Sequence, residues 1–242
     1  MKPFEIITIF LAAGSLLSLF FFVSKRPFLY LLFLAAIAAI VQYFSDGLRW
    51  QMLAAIYIMP AMFITYKYKA VNRFTGTILG VWFLISAFIP WAVPIFTMPA
   101  PKGDFSTGSE TFHWVDSSRL EWFTHEKDKD VREIMVQAWY PCKNSNSIDP
   151  NSYMDFMNLR SKTLASAGKI PAFLPSHLDM IITNTRNNVD CSEKLAKYPV
   201  FIFSHGITGS RHLHQVLFEH LTSKGYVVFA PDHSFDANLA IF

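Results

Sequence analysis

Residues 199–233 read PVFIFSHGITGSRHLHQVLFEHLTSKGYVVFAPDH, and this stretch decides the fold. It contains two continuous apolar runs, Val200–Phe203 (VFIF) and Tyr226–Ala230 (YVVFA). Uninterrupted apolar runs of this length are typical of strands in a parallel sheet that is covered on both faces. Pro231 ends the second run, because proline cannot donate a hydrogen bond to a sheet. We therefore predict two buried, neighbouring strands.

The residues between these two runs predict a helix. Four apolar residues at the spacing i, i+3, i+4 and i+8 would share one buried face (Leu213, Val216, Leu217, Leu221). Ser210 is a candidate N-cap, and Gly225 follows the helix where a left-handed residue is favoured. Strand, glycine-containing loop, helix and strand form a βαβ unit, which predicts a parallel sheet.

The loop His205-Gly206-Ile207-Thr208-Gly209 carries the chemistry of this stretch. In α/β-hydrolases the turn after the third strand has an HG motif, and one of its backbone N–H groups binds the oxyanion of the tetrahedral intermediate. Glycine allows the backbone to approach a substrate closely. A plain strand-to-helix turn or an anion cradle at a helix N-terminus are the alternatives. The position between a buried strand and an amphipathic helix favours the oxyanion loop.

Two further strands precede this stretch, Glu110–Val115 and Glu133–Tyr140, the second closed by Pro141. Short helices are expected near Tyr153–Ala165 and Phe173–Thr183. We predict an incomplete α/β-hydrolase domain over residues 110–242, with a mixed, mostly parallel sheet and flanking helices. Residues 98–109, which begin MPAPKG, would form the linker before it.

Residues 199–233, with REIMVQAWYP and FHWVDSSR upstream, resemble the platelet-activating factor acetylhydrolase family, plasma and intracellular type II, and its bacterial membrane-anchored members. The resemblance implies a serine esterase that removes short acyl groups from phospholipids and related esters, without metal or cofactor. It also implies that the backbone N–H of Ile207 is the oxyanion donor. His205, Gly206 and Gly209 would shape the loop, and Arg211 would start the helix.

The chain contains no G-x-S-x-G motif. The family places its nucleophile on a later strand, followed by Asp and then His, so we expect nucleophile, acid and base to be absent from this chain. Ser204 and His205 are adjacent on a strand and should point to opposite faces. Asp232 and His233 precede any nucleophile, so we interpret them as a loop at the rim of the site. The chain thus reads as C-terminally truncated, either a gene event or a partial record, and inactive as it stands.

Four apolar runs before residue 97 predict four transmembrane helices, at about 6–23, 28–44, 50–66 and 74–96. The loops after the first and third runs hold five basic residues and no acidic ones (Lys25, Arg26, Lys67, Lys69, Arg73). Basic short loops stay cytoplasmic, so four spans would place the hydrolase part outside the cytoplasm of a multi-pass protein of the cell membrane. As no ionisable residue lies within these runs, anchoring is favoured over transport. The positive charge gives no indication of nucleic-acid binding.

Two cysteines, Cys142 and Cys191, are too few for a disulfide framework. Two unrelated thiols are the favoured interpretation, although they could pair if the soluble part lies in an oxidising compartment.

The leading hypothesis is a membrane-anchored carboxylic-ester hydrolase that resembles 1-alkyl-2-acetylglycerophosphocholine esterase, acts in lipid degradation and takes a lipid or short-chain ester substrate. One alternative is a non-catalytic membrane protein with a vestigial hydrolase-like tail. Another is a different acyl hydrolase of the same fold.

Overall fold

The computed structural model describes residues 1–124, 129–143 and 149–241. The chain divides into a helical unit, Met1–Ile95, and a sheet unit, Phe96–Phe242, and each is described by itself.

The helical unit consists of four α-helices: α1 (Pro3–Phe21), α2 (Arg26–Asp46), α3 (Leu53–Lys67) and α4 (Arg73–Ala92). Prolines lie in the first turns of α1 and α2, where the missing N–H has no partner to lose. The side chain of Asn72 caps α4 by accepting a hydrogen bond from the Thr75 N–H at 3.0 Å.

Three of these helices, not four, are long and apolar enough to cross a membrane: α1, α2 and α4, with 19, 21 and 20 residues. The predicted third span is wrong because α3 has 15 residues. At 1.5 Å per residue it extends about 22 Å, less than the roughly 30 Å of a bilayer core. A 3₁₀ turn, Trp50–Met52, occupies the start of the predicted run.

The helical unit has a buried apolar cluster that includes Leu19, Phe28 and Ile58, and it also exposes many large apolar side chains. The face of α1 that is buried in the unit carries Glu5, Thr8, Ala12 and Ser15. Large rings lie on the outside, for example Phe10 at 72% exposure and Phe33 at 64%.

A charged pair lies inside the helical unit. Arg49 forms an ion pair with Glu5, and both side chains are 1% exposed. Arg49 and Gln51 also donate to the Val93 carbonyl, each at 3.4 Å, and so satisfy an acceptor at the end of α4. Glu5 lies in α1 just before the apolar run that the sequence marked, so the helix contains an ionisable residue that the predicted boundary left out.

The described part of the sheet unit contains five strands: β1 (Ser106–Leu120), β2 (Val131–Cys142), β3 (Thr185–Asn187), β4 (Val200–Ile202) and β5 (Val227–Asp232). Their order across the sheet is β3-β1-β2-β5-β4. β1 pairs with β3 and β4 with β5 in parallel, whereas β1–β2 and β2–β5 are antiparallel. The sheet is mixed as predicted, but the described pairs are not mostly parallel, because β2 runs against both of its neighbours.

Helix α5 (Met157–Gly168) and a 3₁₀ segment, Leu174–Met180, lie near the two predicted short helices. Helix α6 (Gln215–Ser223) joins β4 to β5, which confirms the βαβ unit. Trp139 of β2 packs on Phe218 of α6 with ring centroids 4.9 Å apart. Both are fully buried, together with Val228 and Ala230 of β5.

The predicted buried face of α6 is wrong for three of its four residues, whereas Leu221 packs against the buried cluster. Leu213, Val216 and Leu217 are 43–45% exposed, and the helix buries a face that is polar except for one ring (Gln215, Phe218, Glu219, Thr222). The buried Glu219 carboxylate is tolerated there because it is paired: it accepts from Thr185 Oγ1 at 2.9 Å and from Asn184 Nδ2 at 2.8 Å.

The predicted N-cap of this helix is also wrong. α6 begins at Gln215, with His214 as N-cap. Instead, Ser210 Oγ lies 3.0 Å from His212 Nδ1, within hydrogen-bond distance. The exit agrees with the sequence, since Gly225 has φ +93° and its N–H donates to the Thr222 carbonyl at 2.9 Å.

Candidate functional site

The candidate site is the loop between β4 and α6. The Phe203 N–H donates to the Phe229 carbonyl at 2.8 Å, which continues the pairing of β4 with β5. The chain then turns sharply, and the Gly209 N–H donates to the Gly206 carbonyl at 2.9 Å. Thr208 has φ +58° within this turn.

A later segment holds the loop in place. The Thr208 N–H donates to the Asp236 carbonyl at 3.0 Å, and the Gly209 carbonyl accepts from the Asn238 N–H at 2.8 Å. Asn238 in turn contacts Thr163 of α5, with 2.6 Å between Oδ1 and Oγ1. The loop conformation therefore depends on residues 236–238, which sequence reasoning did not connect with it.

The two loop glycines, Gly206 and Gly209, differ in whether the surrounding atoms leave room for a side chain. A Cβ at Gly209 would lie 2.8 Å from the Gly206 carbonyl oxygen and 2.9 Å from the His205 Cβ, so a side chain does not fit. A Cβ at Gly206 would meet nothing within 4 Å. Gly209 is required by packing within the loop, and Gly206 borders open space.

Ile207 lies between these glycines on the outside of the unit. Ile207 is 81% exposed. Its backbone N–H makes no hydrogen bond to another described residue. The amide is neither in the protein interior nor part of a strand ladder.

His205 is 7% exposed and braces the loop from inside. Its Nδ1 lies 2.7 Å from the Gly206 carbonyl oxygen, and its Nε2 accepts from the His233 N–H at 3.1 Å. Because a carbonyl only accepts and an amide N–H only donates, these partners place the ring proton on Nδ1. The side chain joins the β4 exit to the β5 exit.

The structure brings together Ser204 and His233, which the sequence analysis did not pair. Ser204 Oγ lies 2.7 Å from His233 Nε2. No carboxylate contacts Nδ1 of His233 among the described residues. A cavity of about 370 Å³ adjoins His233, and its wall includes Trp114, Phe123 and Arg132.

The carboxylate of Asp232 is part of a buried network of ion pairs and hydrogen bonds. Asp232 is fully buried, and its carboxylate accepts from the Arg211 N–H at 2.7 Å and from the Arg211 guanidinium. Arg160 of α5 lies 3.6 Å from the same carboxylate. Arg211 also pairs with Asp155. Arg211 therefore anchors the loop to β5 and to the segment before α5, and does not start the helix as predicted.

His212 borders this charged cluster. Its Nε2 lies 3.6 Å from Asp155. Burial, followed by the positive charge of Arg211, lowers the pKa of His212 to about 3. The ring is therefore neutral at ordinary pH. Nothing in the sequence spacing identified Asp155 or Arg160, since both lie about 50 or more residues from Arg211.

Within the ranges that the structure covers, no group of three or more His, Cys, Asp or Glu side chains could hold a metal ion.

The family of the chain follows from comparison with known proteins. The sequence model of the family described as "Platelet-activating factor acetylhydrolase, isoform II" matches residues 95–241, well over half of the chain. The chain belongs to this family. The match confirms the resemblance found in residues 199–233, and it extends through all five strands and both helices of the sheet unit.

Among solved structures, a ferulic acid esterase from Streptomyces cinnamoneus at 2.4 Å resolution is similar, with 27% identity and a TM-score of 0.45. The match covers 60% of this chain and 38% of that esterase. The chain thus spans well under half of the length of that enzyme. No curated protein matches this chain significantly.

Proposed function

We propose that this chain supplies the oxyanion loop of a carboxylic-ester hydrolase that removes short acyl groups from phospholipids or related short-chain esters. The observation that carries the proposal is at Ile207, an exposed residue whose backbone N–H has no hydrogen-bond partner among the described residues. Membership of the acetylhydrolase family gives the reaction class.

The chemistry needs a fixed donor where negative charge develops. When a nucleophile attacks the ester carbonyl, the oxygen becomes an oxyanion, and a preorganised N–H stabilises it. His205, Gly209 and the hydrogen bonds from residues 236–238 hold the Ile207 amide in one orientation. Such a donor needs no reorganisation during the reaction, which is why its removal typically costs 10²–10³-fold in kcat.

The nucleophile in this proposal is a serine that none of the 242 residues provides. A second reading, hydrolysis by the chain itself, is favoured by one observation, the 2.7 Å contact between Ser204 Oγ and His233 Nε2. Against it, no described carboxylate orients His233, and an unoriented imidazole is a weak general base.

Labelling with a fluorophosphonate probe separates these two readings. We expect no serine of the purified chain to react, as measured by intact mass and peptide mapping. Stoichiometric labelling at Ser204 that is lost in Ser204→Ala and in His233→Gln would replace the proposal with the second reading.

The role of Ile207 is tested in a form of the protein that hydrolyses short-chain esters. We expect Ile207→Pro, which removes the N–H, to lower kcat by about 10²–10³-fold. The matched control Ile207→Ala keeps the N–H and should stay within a few-fold of the parent. Because proline can disturb a turn, the melting temperature is measured too. A full loss of activity in Ile207→Ala, with folding intact, would contradict the proposal.

We further propose that the helical unit anchors the protein in a membrane, since three of its helices have the necessary length and hydropathy. Location of the sheet unit outside the cytoplasm stays a prediction of the loop charges. It assumed four crossings, whereas three helices are long enough to cross, so the side on which the sheet unit lies has to be measured. A phosphatase fused after Phe96 that is active only outside the cytoplasm would support it, and a reporter active only inside would refute it.

A further inference from the structure

The two cysteines of the chain face each other across a strand bridge. Cys142 ends β2, and Cys191 is its antiparallel bridge partner. The hydrogen bonds around them run from the Ser192 N–H to the Pro141 carbonyl at 2.8 Å and from the Lys143 N–H to the Asp190 carbonyl at 3.0 Å. Both bonds flank the cysteines and neither involves their own backbone groups. Cys142 and Cys191 are therefore a non-hydrogen-bonded pair.

This pattern sets the separation of the two side chains. In a non-hydrogen-bonded antiparallel pair the Cα atoms are about 4.5 Å apart and the side chains project from the same face. A disulfide requires Cα atoms roughly 4.4–6.8 Å apart with side chains directed toward each other. The bridge meets this requirement without a movement of the backbone.

We propose that Cys142 and Cys191 form an intramolecular disulfide when the sheet unit is exposed to an oxidising compartment. Both residues are free thiols in the structure. The proposal does not depend on the ester hydrolase function, because it concerns a bond that can form with or without activity.

The two thiols differ in accessibility, which gives the order of the steps. Cys191 is exposed and borders a surface cavity of about 500 Å³. Cys142 is 5% exposed, and burial raises the pKa of its thiol.

An oxidant that is itself a small or protein disulfide therefore reacts with the Cys191 thiolate, forming a mixed disulfide and releasing one thiol. The Cys142 thiolate then attacks the sulfur of Cys191 and releases the second thiol. Two protein thiols are oxidised, and one oxidant disulfide is reduced to two thiols.

The disulfide would restrain a chain segment that contacts the residues holding the loop between β4 and α6. It closes a ring over residues 143–190, which includes α5 and the pair Asp155 and Arg160. Both contact the charged cluster around Arg211 and Asp232. A disulfide at this position ties that segment to the end of β2 and removes open conformations from the unfolded chain.

The test uses the full chain in detergent micelles, incubated with oxidised or reduced glutathione. Thiols are blocked with iodoacetamide, and peptides are mapped by mass spectrometry. After oxidation we expect one linked peptide pair, lighter by two hydrogens, and no alkylation at either cysteine until reductant is added. The melting temperature of the oxidised form should rise by roughly 5–10 °C.

Two matched variants complete the experiment. Cys191→Ser changes the exposed partner and should melt like the reduced parent, with or without oxidant. Cys142→Ser changes the buried partner and should leave Cys191 open to glutathione, seen as a mixed disulfide. Alkylation of both cysteines after full oxidation would overturn the proposal, as would linkage found only between two copies of the chain.

Discussion

The helical unit and the sheet unit both bury an apolar cluster, and they differ in the share of large apolar side chains that they expose, which is greater in the helical unit. In the sheet unit the fully buried cluster is apolar, with Trp139, Phe218 and Val228 at its centre. In the helical unit the buried cluster includes Leu19, Phe28 and Ile58, whereas rings such as Phe10 and Phe33 are exposed. The exposed rings of the helical unit agree with the proposal that this unit anchors the protein in a membrane.

Charges extend the comparison, because each unit encloses an ion pair. Glu5 pairs with Arg49 among the helices, and Asp232 pairs with Arg211 beside the candidate oxyanion loop. Burying such a pair has a desolvation cost that only close pairing and additional hydrogen bonds offset. Both units thus enclose charges that depend on close pairing.

The largest expected contrast comes from removing one ring in each unit. Phe218→Ala leaves a cavity beside Trp139 and should lower the free energy of unfolding by about 3–5 kcal/mol. Phe33→Ala removes a ring that detergent contacts, so the change should stay within about 0.5 kcal/mol. Urea unfolding in micelles, followed by protease cleavage within each unit, measures both. Equal losses in the two variants would remove the basis of the comparison.

A second contrast tests the enclosed pairs. Arg211→Met leaves the Asp232 carboxylate buried without its main partner and should destabilise the sheet unit by about 3–5 kcal/mol. Arg49→Met should have an effect of similar size on the helical unit, because Glu5 is equally buried. The control Arg119→Met breaks the solvent-exposed ion pair between Arg119 and Asp116 and should leave the melting temperature unchanged. Retention of stability in Arg211→Met would show that the cluster contributes little.

The pH dependence of the free energy of unfolding should arise from His212 in the sheet unit. Folded His212 stays neutral down to a pKa of about 3, whereas in the unfolded chain it takes up a proton near pH 6.5. The contribution of neutral His212 to the free energy of unfolding is therefore fully present above pH 6.5 and is lost as the pH falls toward 3. Between pH 7 and pH 5 this amounts to about 2 kcal/mol.

His212→Gln should flatten this part of the stability profile, whereas His220→Gln, which changes an exposed histidine, should not. Thermal melting at pH 7, 6 and 5 provides the comparison. If the His212→Gln profile keeps the parental slope, another group is responsible.

The smallest expected effect concerns a helix start. Asn72→Ala removes the side-chain acceptor for the Thr75 N–H and should destabilise α4 by about 1 kcal/mol. Asn72→Asp keeps an acceptor and should behave like the parent. α6 has no side-chain cap at His214, so His214→Ala should cost no comparable capping energy. Melting of the two units in micelles distinguishes these variants.

The family and the βαβ unit could be predicted from the sequence because both depend on residues close together in the chain. VFIF, the HG loop and YVVFA all lie within residues 199–233, and Gly225 marks the helix end. The face of α6 could not be predicted in this way. Periodicity selected Leu213, Val216 and Leu217, but Glu219 is buried because Asn184 and Thr185, distant in sequence, satisfy its carboxylate.

The same limit applies to the candidate site and to the number of spans. The sequence identified Ile207 as the candidate donor, but Asp155, Arg160 and residues 236–238 hold the loop through contacts that no local pattern records. Counting apolar residues predicted a third span at 50–66, whereas the helix itself begins only at Leu53. A 3₁₀ turn takes up the difference.

The order of residues alone was enough to assign the family, to separate an apolar half from a soluble one and to select the HG loop, because these properties reside in short stretches and composition. The tertiary structure decided which side chains meet. Only folding brings Ser204 to His233, Arg211 to Asp232 and Cys142 to Cys191, because burial, pairing and strand register depend on segments far apart in the chain.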